Sequence, residues 1–394
     1  MNFSGGGDLL RKDLLFDNGG GSKHRLDFKK IRDIDKLLLI STIVLILFGI
    51  LNIYLCTKGD YGFLYAKKQF IWMIISLVAL YIFISIDYRV FYNYVPVFYW
   101  ASIVLLLITR FAGTVVNGAR GWLKFGPISL QPSEIAKVAM IMMLGKMLEE
   151  MDNDINNFKN LVKLSIYAGI PMIFIIIQPD MGMTMVCFFI VLGIFFVAGL
   201  DRRIFIGGFA ALIVVVAIVW NVGLIQDYQK ARITSFLHPE ANATTTGYHL
   251  SQSLISIGSG GVVGDRPSLY NDGTSGYAAQ HVPEVQTDFI FAAIAEQWGF
   301  IGVVLLLIVY GIAITRMINI ARTAKDTFGS VICIGIVAYF LFAIFQNIGM
   351  TIGLMPITGI TLPLISYGGS SMLSIVMTIG LVLNIGMRRK KIRF

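Results

Sequence analysis

The chain has 394 residues, of which 56% are hydrophobic and only 14% are charged. Soluble globular domains contain about 45–50% apolar and about 25% charged residues, so this composition excludes a soluble enzyme. Intrinsic disorder over most of the length is excluded too, because a disordered chain needs low hydrophobicity. The formal net charge of +9 leaves nucleic-acid binding as a hypothesis that depends on where the basic residues lie.

Apolar runs of about 20 residues, enough to cross the hydrocarbon core of a bilayer, follow a polar N-terminal segment. They predict an all-α polytopic membrane protein with about ten transmembrane helices over residues 36–388. Residues 1–35 are predicted to form a flexible cytoplasmic tail, residues 389–394 a basic cytoplasmic tail, and residues 224–287 a long extracellular segment between helices 7 and 8. The predicted helices lie near 36–56, 68–86, 94–111, 132–148, 161–178, 182–200, 204–223, 289–315, 328–350 and 366–387.

Lys and Arg are concentrated on one side of this arrangement, as the positive-inside rule describes for cytoplasmic loops. With both termini cytoplasmic, most of the 32 basic residues fall inside, whereas the long extracellular segment holds only Lys230, Arg232 and Arg266. We therefore predict an N-in, C-in topology. The basic residues then form a membrane-facing cytoplasmic set, which argues against a nucleic-acid partner.

Charged residues inside or beside membrane spans are expensive, so each is a candidate functional residue. Arg120 and Trp122 lie in a predicted outer turn, before a helix that begins near Pro132. The guanidinium of Arg120 suits an anionic headgroup, although a plain interfacial arginine is also common. Glu134 and Lys137 are three residues apart and share a helix face, so they can form a structural ion pair or contact a substrate directly.

Two further groups interrupt apolar runs with turn-forming residues. Asp180 lies in the break Gln178–Gly182, where capping of the following helix is favoured over a substrate or ion role. Residues 346–371 combine many Gly, Pro, Ser and Thr between two spans, which indicates irregular backbone at membrane depth. Such backbone is tolerated only where protein or a watered cavity covers it, so this stretch, which ends near Ser370, is predicted to form one wall of a groove.

The richest group, residues 281–296, begins where the long extracellular segment meets a membrane helix. Asp288 lies near the start of that helix, where the helix dipole alone favours an acid. The same position suits a carboxylate that acts as a general base or holds a divalent cation for a lipid-anchored substrate. Glu296 lies eight residues further and deeper, can face the same cavity, and is harder to explain as a helix cap.

Two other patterns are interpreted without a functional role. The glycine-rich stretch 258–264 mimics a phosphate-binding loop, but it lies outside with no βαβ context, so the spacing is coincidental. Cys56, Cys187 and Cys333 fall in or beside apolar runs and are interpreted as small buried hydrophobic residues.

Taken together, the polar groups resemble those of the SEDS family (shape, elongation, division and sporulation) of peptidoglycan glycosyltransferases. The resemblance covers about residues 36–388 and rests on NGARGW, GPISLQPSEIAK, QPDMG, PEVQTDFIFAAIAE and GLMPITGITLPLISYGGSS, in that order. The stretch YHLSQS, followed by IGSGG, is more similar to the elongation (RodA-like) branch than to the division (FtsW-like) branch.

The resemblance implies that the protein polymerises lipid II into glycan strands at the outer face of the bacterial cytoplasmic membrane. The growing glycan would lose its undecaprenyl pyrophosphate, with inversion. Asp288 matches the catalytic aspartate, as a general base or a carboxylate linked to Mg²⁺ or Mn²⁺. The implied partners are a class B penicillin-binding protein (a transpeptidase) and membrane proteins of the elongation complex. The candidate substrate-binding residues are Arg120, Trp122, Glu134, Lys137, Asp180, Glu296 and Ser370.

Two positions depart from the family pattern. Gln286 stands where a histidine is often found, which argues against a histidine partner for Asp288, and Gln297 stands where a second glutamate is usual. Three alternatives stay open: a flippase of lipid-linked precursor, a division or sporulation relative with the same chemistry, and a scaffold for cell-wall enzymes. Buried acids and broken helices also build transport paths, whereas a scaffold does not require intramembrane acids.

Overall fold

The computed structural model describes residues 33–116, 119–126, 128–210, 236, 246–265 and 276–388. Within them the chain is mostly helical, and residues 202–210 also form helix. Three short antiparallel strands, β1 (Thr114–Val116), β2 (Ala119–Phe125) and β3 (Ile128–Leu130), pair in that order. The helices are α1 (Lys36–Tyr61), α2 (Leu64–Ser85), α3 (Tyr88–Ala112), α4 (Pro132–Glu150), α5 (Phe158–Ile177), α6 (Met181–Val197), α7 (Thr246–Ser259), α8 (Tyr277–His281), α9 (Ile290–Thr323), α10 (Thr327–Thr351) and α11 (Gly369–Met387).

The predicted membrane helices are present wherever the structure describes the chain, with ends that differ by several residues. Among the described residues, seven helices (α1, α2, α3, α5, α9, α10 and α11) are long and apolar enough to cross a membrane, and α6 is a shorter apolar helix of 17 residues. Helix α4 lies where a span was predicted, but it carries more charged residues than any of these seven helices. Only the start of the predicted helix near 204–223 is described. Both predicted tails, apart from residues 33–35, lie outside the described residues, as do residues 224–235, 237–245 and 266–275 of the long extracellular segment.

Helices α10 and α11 lie at the centre of the bundle. In their apolar windows 72% and 83% of the residues are buried inside the protein, against 22% for α2 and α5. A helix that is apolar on all sides is stable in such a central place, while the outer helices turn apolar side chains outward. Small residues permit close approach: a Cβ added at Gly335 of α10 would lie 2.7 Å from the Ile141 side chain of α4.

The segment predicted as an outer turn forms the small sheet. Along β2, Leu123 is buried while Trp122 and Lys124 are more exposed, which is the period of two expected of a strand. Thr114 of β1 pairs with Trp122 across the hairpin. The sheet adds to the helical architecture and places the Arg120 side chain against the C-terminal end of α3.

Residues 352–368, between α10 and α11, form the irregular segment that the sequence predicted. Buried side chains satisfy its backbone: the Gln346 amide donates to the Pro356 carbonyl at 2.8 Å, and the Tyr310 hydroxyl donates to the Pro363 carbonyl at 2.5 Å. Protein therefore covers this non-helical backbone, as a membrane environment requires.

The glycine-rich stretch has a structural role that its spacing did not indicate. Helix α9 is interrupted at Gly299, where φ is +62°, and the interruption leaves backbone N–H groups of the next turn without partners in their own helix. Phe300 and Ile301 donate these N–H groups to the carbonyls of Gly261 and Val262, at 3.0 and 3.1 Å. The stretch therefore docks into a kink of α9 by backbone hydrogen bonds.

Candidate functional site

Asp288 lies in a turn of residues 283–289 that leads directly into α9. The carbonyl of Glu284, whose φ is +53°, accepts the N–H groups of Thr287 at 3.1 Å and Asp288 at 3.2 Å. A non-glycine residue with positive φ is uncommon, and such residues concentrate at functional sites. Phe289 occupies the cap position of α9, so Asp288 lies one residue outside the helix with a half-buried side chain.

The irregular segment lies directly against Asp288. The side-chain amide of Asn347 donates to the carbonyl of Asp288 at 2.9 Å and to the carbonyl of Ile360 at 2.8 Å, which ties the turn to the segment. A Cβ added at Gly359 would lie 3.2 Å from Oδ2 of Asp288. Gly359 also has φ +75°, so both its conformation and its closeness to the carboxylate favour glycine.

A chain of hydrogen bonds joins the starts of α6, α4 and α11. Oδ1 of Asp180 accepts the N–H of Met183 at 2.9 Å, which confirms the predicted cap of α6. Oδ2 of the same carboxylate accepts from the Gln131 side chain at 3.2 Å, and the Gln131 N–H donates to Oγ of Ser370 at 3.0 Å. Asp180 and Ser370 therefore lie in one connected group, which sequence separation alone does not reveal.

This hydrogen-bonded group approaches Asp288 through the backbone of Thr358 and Gly359, in the irregular segment. A Cβ added at Gly182, in the first turn of α6, would lie 2.8 Å from the carbonyl oxygen of Thr358. Thr358 is bonded to Gly359, where an added Cβ would lie 3.2 Å from Oδ2 of Asp288. Asp180 and Asp288 thus flank a single short piece of backbone, at a place where several helices begin and their N-terminal dipole ends favour anions.

Glu134 and Lys137 form the buried ion pair that their spacing predicted. Nζ of Lys137 lies 2.7 Å from Oε2 of Glu134, and the side chains are 2% and 6% exposed. The ammonium also lies 3.7 Å from the ring centroid of Tyr339, and Ser374 of α11 donates to the Glu134 carbonyl at 3.4 Å. The pair therefore lies on α4 just beyond the Gln131–Ser370 contact.

Arg120 and Trp122 are half-buried on β2. The Thr114 hydroxyl donates to the Trp122 carbonyl at 3.2 Å, and the Arg120 side chain lies 3.2 Å from a Cβ added at Gly113. Both residues are held by the sheet at the end of α3. Their contact with a substrate stays a prediction.

Glu296 is a helix cap, contrary to the sequence-based expectation. Its two carboxylate oxygens accept the N–H groups of Tyr277 at 2.5 Å and Ala278 at 2.7 Å, which are the first two residues of α8. Residues at helix starts have N–H groups without partners, and a carboxylate satisfies them well. The cap was missed because it serves another helix, 18 residues earlier in the chain. Its predicted substrate contact is not needed to explain its burial.

Sequence reasoning also missed several uncharged polar residues around Asp288. Asn347, Gln131 and Gln69 are amides in or beside apolar helices, whereas the sequence-based candidates, apart from Trp122 and Ser370, are charged residues. His249 of α7 lies with its ring 5.9 Å from the ring of Phe289. Burial lowers the pKa of His249, and the nearby charge of Glu284 partly offsets this, so the imidazole favours its neutral form.

The chain resembles known proteins over nearly its whole length. The family model described as "Cell cycle protein" (FtsW, RodA, SpoVE) matches residues 25–391. The chain is 36% identical over 366 residues to stage V sporulation protein E of Bacillus subtilis strain 168, which covers 89% of this chain and 96% of the relative. It is 34% identical over 359 residues to peptidoglycan glycosyltransferase MrdB of Escherichia coli strain K12, which covers 91% and 94%.

Solved structures agree with these relatives. A chain from a peptidoglycan synthase complex that coordinates polymerization and crosslinking matches with a TM-score of 0.78 and 28% identity, over 91% of this chain and 99% of that one. The rod shape determining protein RodA of Thermus thermophilus matches with a TM-score of 0.68 and 26% identity, over 91% and 98%. The matched family model and these relatives, together with the motifs and the fold, establish that the chain belongs to the FtsW/RodA/SpoVE (SEDS) family.

Proposed function

We propose that this multi-pass protein of the cytoplasmic membrane is a peptidoglycan glycosyltransferase that polymerises lipid II at the outer face of the membrane. The observation that carries the proposal is the half-buried carboxylate of Asp288. It lies on a constrained turn against the irregular segment, next to the converging starts of α4, α6 and α11. Catalysis by general acid or base requires such a positioned group near its reacting atoms.

The chemistry assigned to the site is an inverting displacement at an anomeric carbon. The hydroxyl of the incoming sugar attacks that carbon, its proton passes to the carboxylate of Asp288, and the bond to the pyrophosphate oxygen breaks. The electron pair leaves with undecaprenyl pyrophosphate. The start of α11 has backbone N–H groups that suit a phosphate group, and Ser370 lies in its first turn.

The residues around Asp288 fit a divalent cation only if the substrate shares in holding it. No group of three or more His, Cys, Asp or Glu side chains with metal-binding geometry occurs in the described part of the chain. Mg²⁺ is commonly held by one or two carboxylates together with substrate phosphates and water, which suits Asp288 beside a pyrophosphate. Bound there, Mg²⁺ or Mn²⁺ would supply charge neutralisation for the leaving group.

The biological role we propose is cell elongation and rod shape, with a class B penicillin-binding protein as the transpeptidase partner. Its support is the YHLSQS stretch, the similarity to MrdB and RodA, and the match to a chain of a peptidoglycan synthase complex. A sporulation or division role with the same chemistry is the second candidate, because the chain is 36% identical to stage V sporulation protein E, against 34% to MrdB. Other membrane proteins of the elongation complex complete the proposed partners.

Polymerisation by purified protein tests the activity. The chain in detergent or nanodiscs, with lipid II and Mg²⁺ or Mn²⁺, should produce glycan polymer, and Asp288→Asn should reduce the rate by about 100-fold or more, the usual contribution of a general base. Asp265→Asn, a change to an exposed carboxylate of the same extracellular side, is the matched control and should keep the wild-type rate.

Two results would contradict the proposal. Absence of polymer from well-folded wild type, alone and with a cognate transpeptidase, would refute the enzyme activity and favour a flippase, which a lipid II translocation assay would detect. A rate for Asp288→Asn within about threefold of wild type would refute the catalytic assignment, since a general base contributes at least about 100-fold.

A further inference from the structure

Two side-chain amides inside the bundle have no part in the proposed chemistry. Asn347 of α10 and Gln69 of α2 are both fully buried, at 0% exposure. A buried amide is costly unless it is hydrogen-bonded, and its location within membrane helices increases that requirement. Their partners therefore indicate what the two residues do.

Asn347 holds Asp288 directly. Both bonds of its NH₂ group go to backbone carbonyls, one of Asp288 and one of Ile360, at 2.9 and 2.8 Å. One side chain thus fixes the distance between the turn that carries the carboxylate and the wall that the carboxylate faces. Ile360 follows Gly359, where an added Cβ would lie 3.2 Å from Oδ2 of Asp288.

Gln69 acts on the same turn indirectly, through one intervening residue. Its Nε2 donates to the Ser366 carbonyl at 3.1 Å, and its Oε1 accepts the N–H of Gly368 at 3.2 Å. These two bonds bracket Tyr367, whose N–H donates to the Gln286 carbonyl at 2.9 Å. Gln286 lies in the turn, two residues before Asp288.

The geometry points to Asn347 and Gln69 as positioning residues for Asp288, an inference that rests on the proposed glycosyltransferase activity. Asp288 lies outside any helix, so the regular hydrogen bonds of α9 do not fix its place. Catalytic groups must be held within about 0.5 Å of the productive geometry, and a misplacement of about 1 Å can cost about 100-fold in rate. Asn347 meets this need directly at the Asp288 carbonyl, and Gln69 meets it through Tyr367, which bonds the turn two residues earlier.

A purely structural role is the competing explanation, and it predicts a different result. Loss of a hydrogen bond that only stabilises the fold lowers the folded fraction and the melting temperature. Displacement of Asp288 instead lowers kcat of the folded enzyme and leaves KM unchanged. The chain offers a matched control in Asn384, which is also 0% exposed. Its amide donates to carbonyls in the last turn of α2 and just after it, including that of Phe83 at 2.6 Å.

The distance of Asn384 from the site makes the comparison informative. It lies in the last turns of α11, 14 residues beyond Ser370, which corresponds to about 21 Å along a helix. Ser76→Ala provides a second control on α2, since the buried Ser76 hydroxyl has no hydrogen-bond partner among the described residues.

The experiment measures initial polymerisation rates against lipid II concentration for purified, monodisperse Asn347→Leu, Gln69→Met, Asn384→Leu and Ser76→Ala. We expect kcat to fall about 10- to 100-fold in the first two variants, with KM within about twofold of wild type. Asn384→Leu should lower the melting temperature but keep kcat within about twofold, and Ser76→Ala should resemble wild type. Gln69→Glu, which keeps the acceptor for Gly368, replaces Gln69→Met if that variant does not fold.

The results for the variants test the positioning role, and the result for the wild type tests the proposed activity. Unchanged kcat in folded Asn347→Leu or Gln69→Met, or an equal fall in kcat for Asn384→Leu, would overturn the positioning role. Failure of the wild type to polymerise lipid II would overturn the proposed function instead, and that result is read on the wild type alone.

Discussion

At the scale of single residues, the Glu134–Lys137 pair shows how the protein keeps charge inside a membrane bundle. Two ions taken out of water lose several kcal/mol of hydration each, and only close geometry with further contacts offsets this loss. Here the ions are 2.7 Å apart, and the ammonium also lies over the ring of Tyr339. Because both charges are almost fully buried, the partner left by a single substitution has no route to solvent.

Removing one ion should therefore harm the protein more than removing both. Lys137→Met is expected to lower the free energy of unfolding by about 3–5 kcal/mol, because it leaves an unpaired buried carboxylate. The double variant Glu134→Gln/Lys137→Met should recover a large part of that loss, since no charge remains buried. Denaturant unfolding of the purified variants measures both values, and a double variant no more stable than Lys137→Met would contradict the coupling.

At the scale of elements, the kink of α9 joins the described part of the extracellular segment to the bundle. A Cβ at Gly299 would lie 2.3 Å from the backbone N of Gly264, and φ there is +62°, so only glycine permits this contact. One turn earlier, Glu296 caps α8, and its carbonyl accepts the N–H of Asp265 at 2.9 Å. A single stretch of α9 thus holds both α7 and α8.

Gly299→Ala should release the glycine-rich stretch from this kink. The added methyl group collides with backbone and strains φ, so faster hydrogen exchange is expected in residues 258–265 and a lower melting temperature in the whole protein. Gly311→Ala, a change in the same helix with open space around the added Cβ, should leave both unchanged. Equal exchange in Gly299→Ala and wild type would show that the docking does not depend on the kink.

These elements also show how far sequence reasoning can reach. Helices could be placed because an apolar run of about 20 residues is a local signal, and the Glu134–Lys137 pair because its spacing is local too. The cap that Asp180 forms was predictable for the same reason, because the N–H that it accepts lies only three residues further along the chain. The partners of Gln69 and Asn384 lie about 300 positions away, so no local pattern identifies them. The docking of the glycine-rich stretch on Gly299, and the cap that Glu296 provides, likewise exist only once the fold has formed.

At the scale of the whole molecule, the arrangement of spans determines which face of the membrane Asp288 reaches. The distribution of Lys and Arg predicts both termini inside, which places the small sheet and the 283–289 turn outside and the loop between α4 and α5 inside. Lipid II polymerisation outside the cell requires this orientation. The native thiols Cys56, Cys187 and Cys333 are all buried, so a single introduced surface cysteine reports its own location.

Labelling with a membrane-impermeant maleimide should reveal that orientation. Lys124→Cys, at an exposed position of β2, is expected to react in intact spheroplasts, whereas Asp154→Cys, exposed in the loop after α4, should react only after permeabilisation. Wild type, with its three buried cysteines, is the control and should stay unlabelled in both conditions. The reverse pattern would place Asp288 on the cytoplasmic side, where a polymerase of extracellular glycan cannot act, and would shift the assignment toward a step inside the cell. Under the predicted pattern, the Asp288 carboxylate lies at the outer face of the membrane, as the distribution of Lys and Arg predicts and as the proposed activity requires.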